Sequence, residues 1–153
     1  MAMGAEVEGL LKTISVAAFL LMALALVGLV VRHSLFSPLR VVVVAQVAAV
    51  ALIVWARLTF GHRSFHAAAN PTAGGLVTTG PYRFIRHPIY TGACLLGWAG
   101  IMAHLSLINV LLGAVLLVGA IGRMLCEERL VIAAYPEYGE YARVTKRMVP
   151  YVF

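Results

Sequence analysis

From Ile89 to Gly122 the chain carries no formally charged residue for 34 positions, and this run constrains the fold more than any other feature. As one straight helix it would extend roughly 50 Å at about 1.5 Å per residue, well past a hydrocarbon core of about 30 Å. The run therefore has to fold back. His104, Ser106 and Asn109 are the polar residues near its middle and mark the turn of a tight helical hairpin. Gly92, Ala93, Gly97, Gly113 and Gly119 would let neighbouring helices approach closely, and helix packing in a membrane is enough to explain them.

Two more apolar runs come earlier. Thr13 to Val31 is uncharged and long enough to cross most of a bilayer. Val41 to Ala56, VVVVAQVAAVALIVWA, has Gln46 as its only strongly polar interior residue. Four consecutive valines suit a strand in water, but an isolated strand leaves its backbone unpaired in lipid, so a helix is expected. Composition agrees. Hydrophobic residues make up 62% of the chain and charged residues 12%, where soluble domains carry about a quarter charged. The expected fold is an all-α integral membrane protein of one domain, residues 1–153. It has about four transmembrane helices: an N-terminal hairpin within residues 1–60, and the second hairpin within 61–153. The first run is too long for the apolar region of a signal peptide and is preceded by Glu6 and Glu8, so it reads as a span and not as a cleaved leader.

Between the second and third spans, Gly61 to Pro88 is a 28-residue polar connection, GHRSFHAAANPTAGGLVTTGPYRFIRHP. Connections this long tend to be functional or disordered, and its aromatic and basic content argues against disorder. With four spans, the N-terminus, this loop and the tail share one side. Ten of the twelve lysines and arginines fall there, leaving Arg32 and Arg40 opposite. The positive-inside rule then makes that side cytoplasmic, in a bacterial inner membrane or its equivalent. The net charge of +6 suits anionic headgroups. Nucleic acid is not an expected partner, because the basic residues sit at the ends of apolar runs and form no continuous stripe.

Charge alone places the loop, but it does not explain the histidine, tyrosines and prolines of Gly80–Gly92, GPYRFIRHPIYTG. A second polar cluster, Glu127-Glu128, lies near the end of the last span, and Tyr138, Tyr141 and Arg147 follow in a segment expected to be interfacial. The chain has six acidic residues and no aspartate, which makes adjacent glutamates notable. A local role is open to them, since Glu127 stands four residues after Arg123 on one helical face. Several chemistries lack their motifs: no Gly-x-Gly-x-x-Gly follows a strand, and no phosphate-binding lysine loop, HExxH or serine elbow is present. His62 and His66 have helical spacing for a metal but no evident carboxylate partner, and no metal is expected. Cys94 and Cys126 show no metal or redox spacing and read as buried small apolar residues. The span interiors offer no carboxylate or lysine for proton-coupled transport.

The wording from Leu76 to Gly92, followed by Glu127-Glu128 and then YPEYGEYARVTKRMVP, resembles the isoprenylcysteine carboxyl methyltransferases and the related phospholipid N-methyltransferases. The resemblance covers Gly75 to Pro150, and the first two spans carry no signature of it. It implies a membrane enzyme using S-adenosylmethionine, with the cofactor at the cytosolic surface between the RHP segment and the C-terminal helix. A small lipophilic acceptor (an isoprenoid or prenylcysteine carboxylate, a lipid amine or a thiol) would come from the bilayer. Carried over, Tyr82, Arg86, His87, Pro88, Tyr90 and Gly92, with Gly80 ahead of them, form one wall of the cofactor site. Glu127 and Glu128 form another, and Tyr138, Tyr141 and Arg147 close it. Arg86, His87, Glu127 and Arg147 are the candidate catalytic residues. Glutamate suits an ammonium and arginine a carboxylate, tyrosine faces suit a sulfonium, and a glycine admits a ligand close to backbone. Membrane sterol reductases that use NADPH resemble the C-terminal portion too, and a non-enzymatic membrane scaffold is a third reading. The small-residue faces suit a homodimer.

Overall fold

A computed structural model describes residues 4–61, 75–150 and 152–153; His62 and His66 lie outside them. Among the described residues there are five α-helices and no strand beyond one isolated bridge. They are α1 (Ala5–Val31), α2 (Arg40–Phe60), α3 (Pro88–Ala103), α4 (Leu107–Ala134) and α5 (Tyr138–Val144), with a 3-10 turn at Gly80–Arg83. The valine run is helical throughout.

Local chemistry sets the helix ends. Glu6 and Glu8 occupy the first turn of α1, where negative charge meets the positive end of the helix dipole. Pro88 opens α3 at the first helical position, where its missing N–H costs no hydrogen bond. Ser106 caps α4, its hydroxyl accepting from Asn109 N at 3.2 Å. The uncharged run thus turns at His104–Ser106, where the polar residues stand.

Three helices, α1, α2 and α4, are long and apolar enough to cross a membrane. Helix α3 has 16 residues, about 24 Å of helix, and falls short of a full hydrocarbon core by itself. In contrast, α4 has 28 residues, about 42 Å, and its C-terminal turns carry the chain's paired glutamates. Large apolar side chains cover the outside of the bundle, as expected where the solvent is lipid.

Helix α1 packs along α4. Leu11 clusters with Cys126 and Leu130, Met22 meets Gly119, and Leu112 meets Gly28. One number rises as the other falls, so the two helices run antiparallel. Helix α2 packs on α3, where Ile53 and the Ala49 carbonyl press on Gly92. Gln46, the polar residue inside α2, donates to the Leu35 carbonyl of the α1–α2 loop, and that loop lies against Gly100 at the far end of α3. Both cysteines are buried and unpaired.

The tail, expected to hold an interfacial helix, contains a short one. Helix α5 is only seven residues long. Beyond it the chain runs back beside the RHP segment, with Lys146 bridged in parallel to Ile85. Met148 is buried in the main apolar cluster with Met22, Cys94 and Met124. Backbone pairing to a neighbouring segment, more than the amphipathic pattern of α5, holds this tail.

Candidate active site

A residue preceding proline is pushed out of the α region. His87, before Pro88, takes φ −125° and ψ 56°, and this leaves the backbone of Arg86 and His87 open to an outside partner. The returning tail supplies it. Arg86 N donates to Lys146 O at 2.7 Å and His87 N to Arg147 O at 2.9 Å. Thr91, one turn into α3, adds a side-chain bond to Met148 O at 2.8 Å. Arg86, His87 and Arg147 are thereby fixed side by side, facing the C-terminal turns of α4.

Glu128 is the centre of the cluster. Its side chain is 9% exposed, with Arg86 Nε at 2.9 Å from Oε1. His87 Nε2 stands 3.3 Å from the same oxygen, and Arg147 reaches Oε2 through Nε and Nη2, each at 3.1 Å. A buried carboxylate is tolerable only with such partners. Arg86 is also engaged elsewhere, donating through Nη1 to Ala142 O at 3.0 Å and Thr145 O at 2.6 Å. It ties Glu128 to the C-terminal carbonyls of α5, where a cation is favoured.

Glu127 is built differently. It accepts from Tyr90 Oη and pairs with Arg123 at 3.2 Å. His87 Nδ1 is 3.7 Å from its second oxygen, and its side chain remains 24% exposed. His87 therefore stands between the two carboxylates, one facing each ring nitrogen. Its ring also lies nearly parallel to that of Tyr90, with centroids 5.7 Å apart.

Three tyrosines back this cluster. Tyr141 Oη donates to Tyr82 O at 2.6 Å and its ring meets Tyr138 edge-on. Burial pushes the Tyr141 phenol up to about 12, partly offset by Arg86. Burial raises Tyr82 and Tyr138 above the ordinary phenol range, and the neighbouring charges of Glu127 and Glu128 respectively add to it. Tyr82 also packs against Phe60, with ring centroids 5.5 Å apart. Beside them an open hollow of about 500 Å³ is lined by Thr59, Phe60, Gly61 and Leu76–Thr79. The ionic cluster does not line it.

Of the residues singled out in the sequence, Arg86, His87, Tyr90, Glu127, Glu128 and Arg147 form one bonded network. Tyr82, Tyr138 and Tyr141 form its backing, and Pro88 sets the start of α3. The two glycines have packing and turn roles of their own. A side chain at Gly92 would sit 2.9 Å from the Ala49 carbonyl, against Ile53, so its smallness serves the α2–α3 contact. Gly80 has φ +57° and lies against Thr59 of α2, so a backbone turn and close packing account for it. Arg123 was visible only as a helical neighbour of Glu127. In the folded chain it also donates to Tyr90 Oη at 2.7 Å. Its place as the first charged residue after the 34-residue uncharged run was the available signal.

Residues 40–138 match the phospholipid methyltransferase family. The chain belongs to that family of membrane methyltransferases. Its match takes in α2, which the sequence wording had left without a signature, and ends before the returning tail. The chain is also similar to the cobalt-zinc-cadmium resistance protein CzcN of Cupriavidus metallidurans, 40% identical over 78 residues. That similarity covers 49% of this chain and 35% of the relative, so the chain spans about a third of the length of that protein. No solved structure matches the chain.

Proposed function

We propose that this member of the family is an S-adenosylmethionine-dependent methyltransferase acting on a small lipophilic acceptor at the membrane interface. The observation that carries the reading is the unequal state of two adjacent carboxylates. Glu128 is saturated by Arg86, His87 and Arg147, whereas Glu127 is partly exposed and has Oε2 3.7 Å from His87 Nδ1. This donor set fits a ligand bearing both an ammonium and a carboxylate. Glu127 would hold the ammonium, and Arg147, 36% exposed, would present its outer edge to the carboxylate. The stacked His87 and Tyr90 rings suit a neighbouring positive charge.

When bound, S-adenosylmethionine supplies a methyl carbon made electrophilic by its sulfonium. The chain's own part is positioning, which dominates an in-line transfer. The tail segment holds His87 and Arg147, α4 holds the glutamates, and α3 holds Tyr90. An acceptor carboxylate needs no base, while an amine or thiol must lose a proton, for which His87 is placed between two carboxylates. In this reading α3 is the fourth crossing, shortened because the α1–α2 loop covers its far end, and the site faces the cytoplasm with the basic loops. Among the described residues no group of three or more His, Cys, Asp or Glu side chains gathers to hold an ion.

Transfer of a tritiated methyl group from S-adenosylmethionine to membrane lipid extracts tests the reaction. Label in a lipid fraction that depends on the protein supports it. Binding of NADPH with no methyl transfer would replace it with the reductase reading, and binding of neither cofactor would leave a scaffold.

A further inference from the structure

Arg123 lies one helical turn before Glu127 and its side chain is 7% exposed. Its Nε donates to Tyr90 Oη at 2.7 Å and lies 3.2 Å from Glu127 Oε1, the oxygen to which Tyr90 donates in turn. The guanidinium is itself held from the other side. Its Nη1 donates to Ser15 O of α1 at 3.3 Å, and its carbon lies 5.0 Å from the centre of the Phe19 ring. Ser15 is wholly buried. A helix neighbour that only paired with Glu127 would need neither α1 nor Tyr90.

We propose that Arg123 is the positioning residue of the site, holding Tyr90 and Glu127 in one arrangement, and that α1 is recruited to the site through it. The inference rests on the reading that Glu127 and Tyr90 face the cofactor. Helix α1 lies outside the matched residues 40–138, so the family match gives it no such role. The planar guanidinium alone can serve Tyr90, Glu127 and the Ser15 carbonyl together. A lysine would keep one ion pair and lose the fork.

The test uses the full chain in detergent with its tyrosine rings ¹³C-labelled, the Tyr90 signal being assigned by its loss in Tyr90→Phe. In Arg123→Met the Tyr90 signal moves, and S-adenosylhomocysteine binds roughly tenfold or more weakly, the loss of a charged hydrogen bond. In a Tyr90→Phe background the same substitution weakens binding by a smaller factor than in the wild type, because the part of its effect that runs through Tyr90 is already lost. Arg123→Lys fails to restore either readout. Phe19→Leu, which spares the ionic groups, displaces the Tyr90 signal in the same direction, and it stands in if Arg123→Met does not fold. A Tyr90 signal unmoved in the folded variants, or single losses that simply multiply, overturns the proposal. If the wild-type chain binds no S-adenosylhomocysteine, the cofactor reading falls, and the Tyr90 signal still decides the role of Arg123.

Discussion

Polar side chains stitch both ends of the helical bundle, yet the two ends are built from different chemistry. At the end holding the α3–α4 turn, Arg32 donates to Asn109 Oδ1 at 2.8 Å, Asn109 to His104 O at 2.6 Å, and His104 Nε2 lies 2.9 Å from Phe36 O. The acceptors there are carbonyl and amide oxygens, and these bonds close a loop onto a turn. At the other end, two glutamates are met by Arg86, Arg123, Arg147 and His87. Closing a fold needs the first kind of bond only. The second kind concentrates charge where charge is expensive to bury, which makes sense when a charged ligand completes the set.

That contrast can be broken by substitution. The largest effect is expected for Glu128→Gln, which leaves Arg86 and Arg147 without their shared counter-charge. A loss of about 3–5 kcal/mol is typical for removing one partner of a buried pair. Thermal unfolding in detergent should show a collapse of the folded fraction, and an unchanged midpoint would mean that the cluster does not hold the fold. Next, Gly92→Ala should cost about 1–3 kcal/mol through overpacking against α2. Cofactor affinity per folded molecule should stay at the wild-type level. A selective loss of affinity with normal stability would return Gly92 to the ligand site. At the opposite end, Asn109→Ala should lower stability by about 1–3 kcal/mol, the loss of its two side-chain hydrogen bonds to Arg32 and His104, with binding again unaffected.

The smallest expected effect is a pH dependence confined to the site end. Burial holds the Tyr141 phenol at about 12 in the folded chain against 10.0 when free. The folded state therefore keeps a proton that the unfolded chain releases. The associated stability is whole below pH 10 and is lost as pH rises towards 12. The unfolding midpoint should be level up to that point and then fall, and Tyr141→Phe should flatten the fall. An equal fall in both proteins would assign the alkaline sensitivity elsewhere.

Much of this arrangement was legible before folding, for reasons that differ by region. The hairpin followed from length, since 34 uncharged residues exceed one bilayer crossing. The clustering of His87, Tyr90, Glu127 and Glu128 followed from a resemblance whose wording is mostly side chains. The returning tail was hidden because Lys146 and Arg147 engage the RHP segment through backbone carbonyls, which no side-chain pattern announces. Gly92 was ambiguous for a physical reason: a close helix and a close ligand both require the absence of a side chain. Arg123 stood at a legible helical spacing from Glu127, but its ties to Tyr90 and to α1 depend on tertiary packing.

In the proposed function the two adjacent glutamates do different work, one holding the protein together and the other facing a cofactor. Calorimetric titration of S-adenosylhomocysteine into the wild-type chain and into Glu127→Gln tests this most directly. The prediction is binding to the wild type and a loss of about a hundredfold in Glu127→Gln, near 2.7 kcal/mol, with the unfolding midpoint preserved. Full affinity in a folded Glu127→Gln would contradict it.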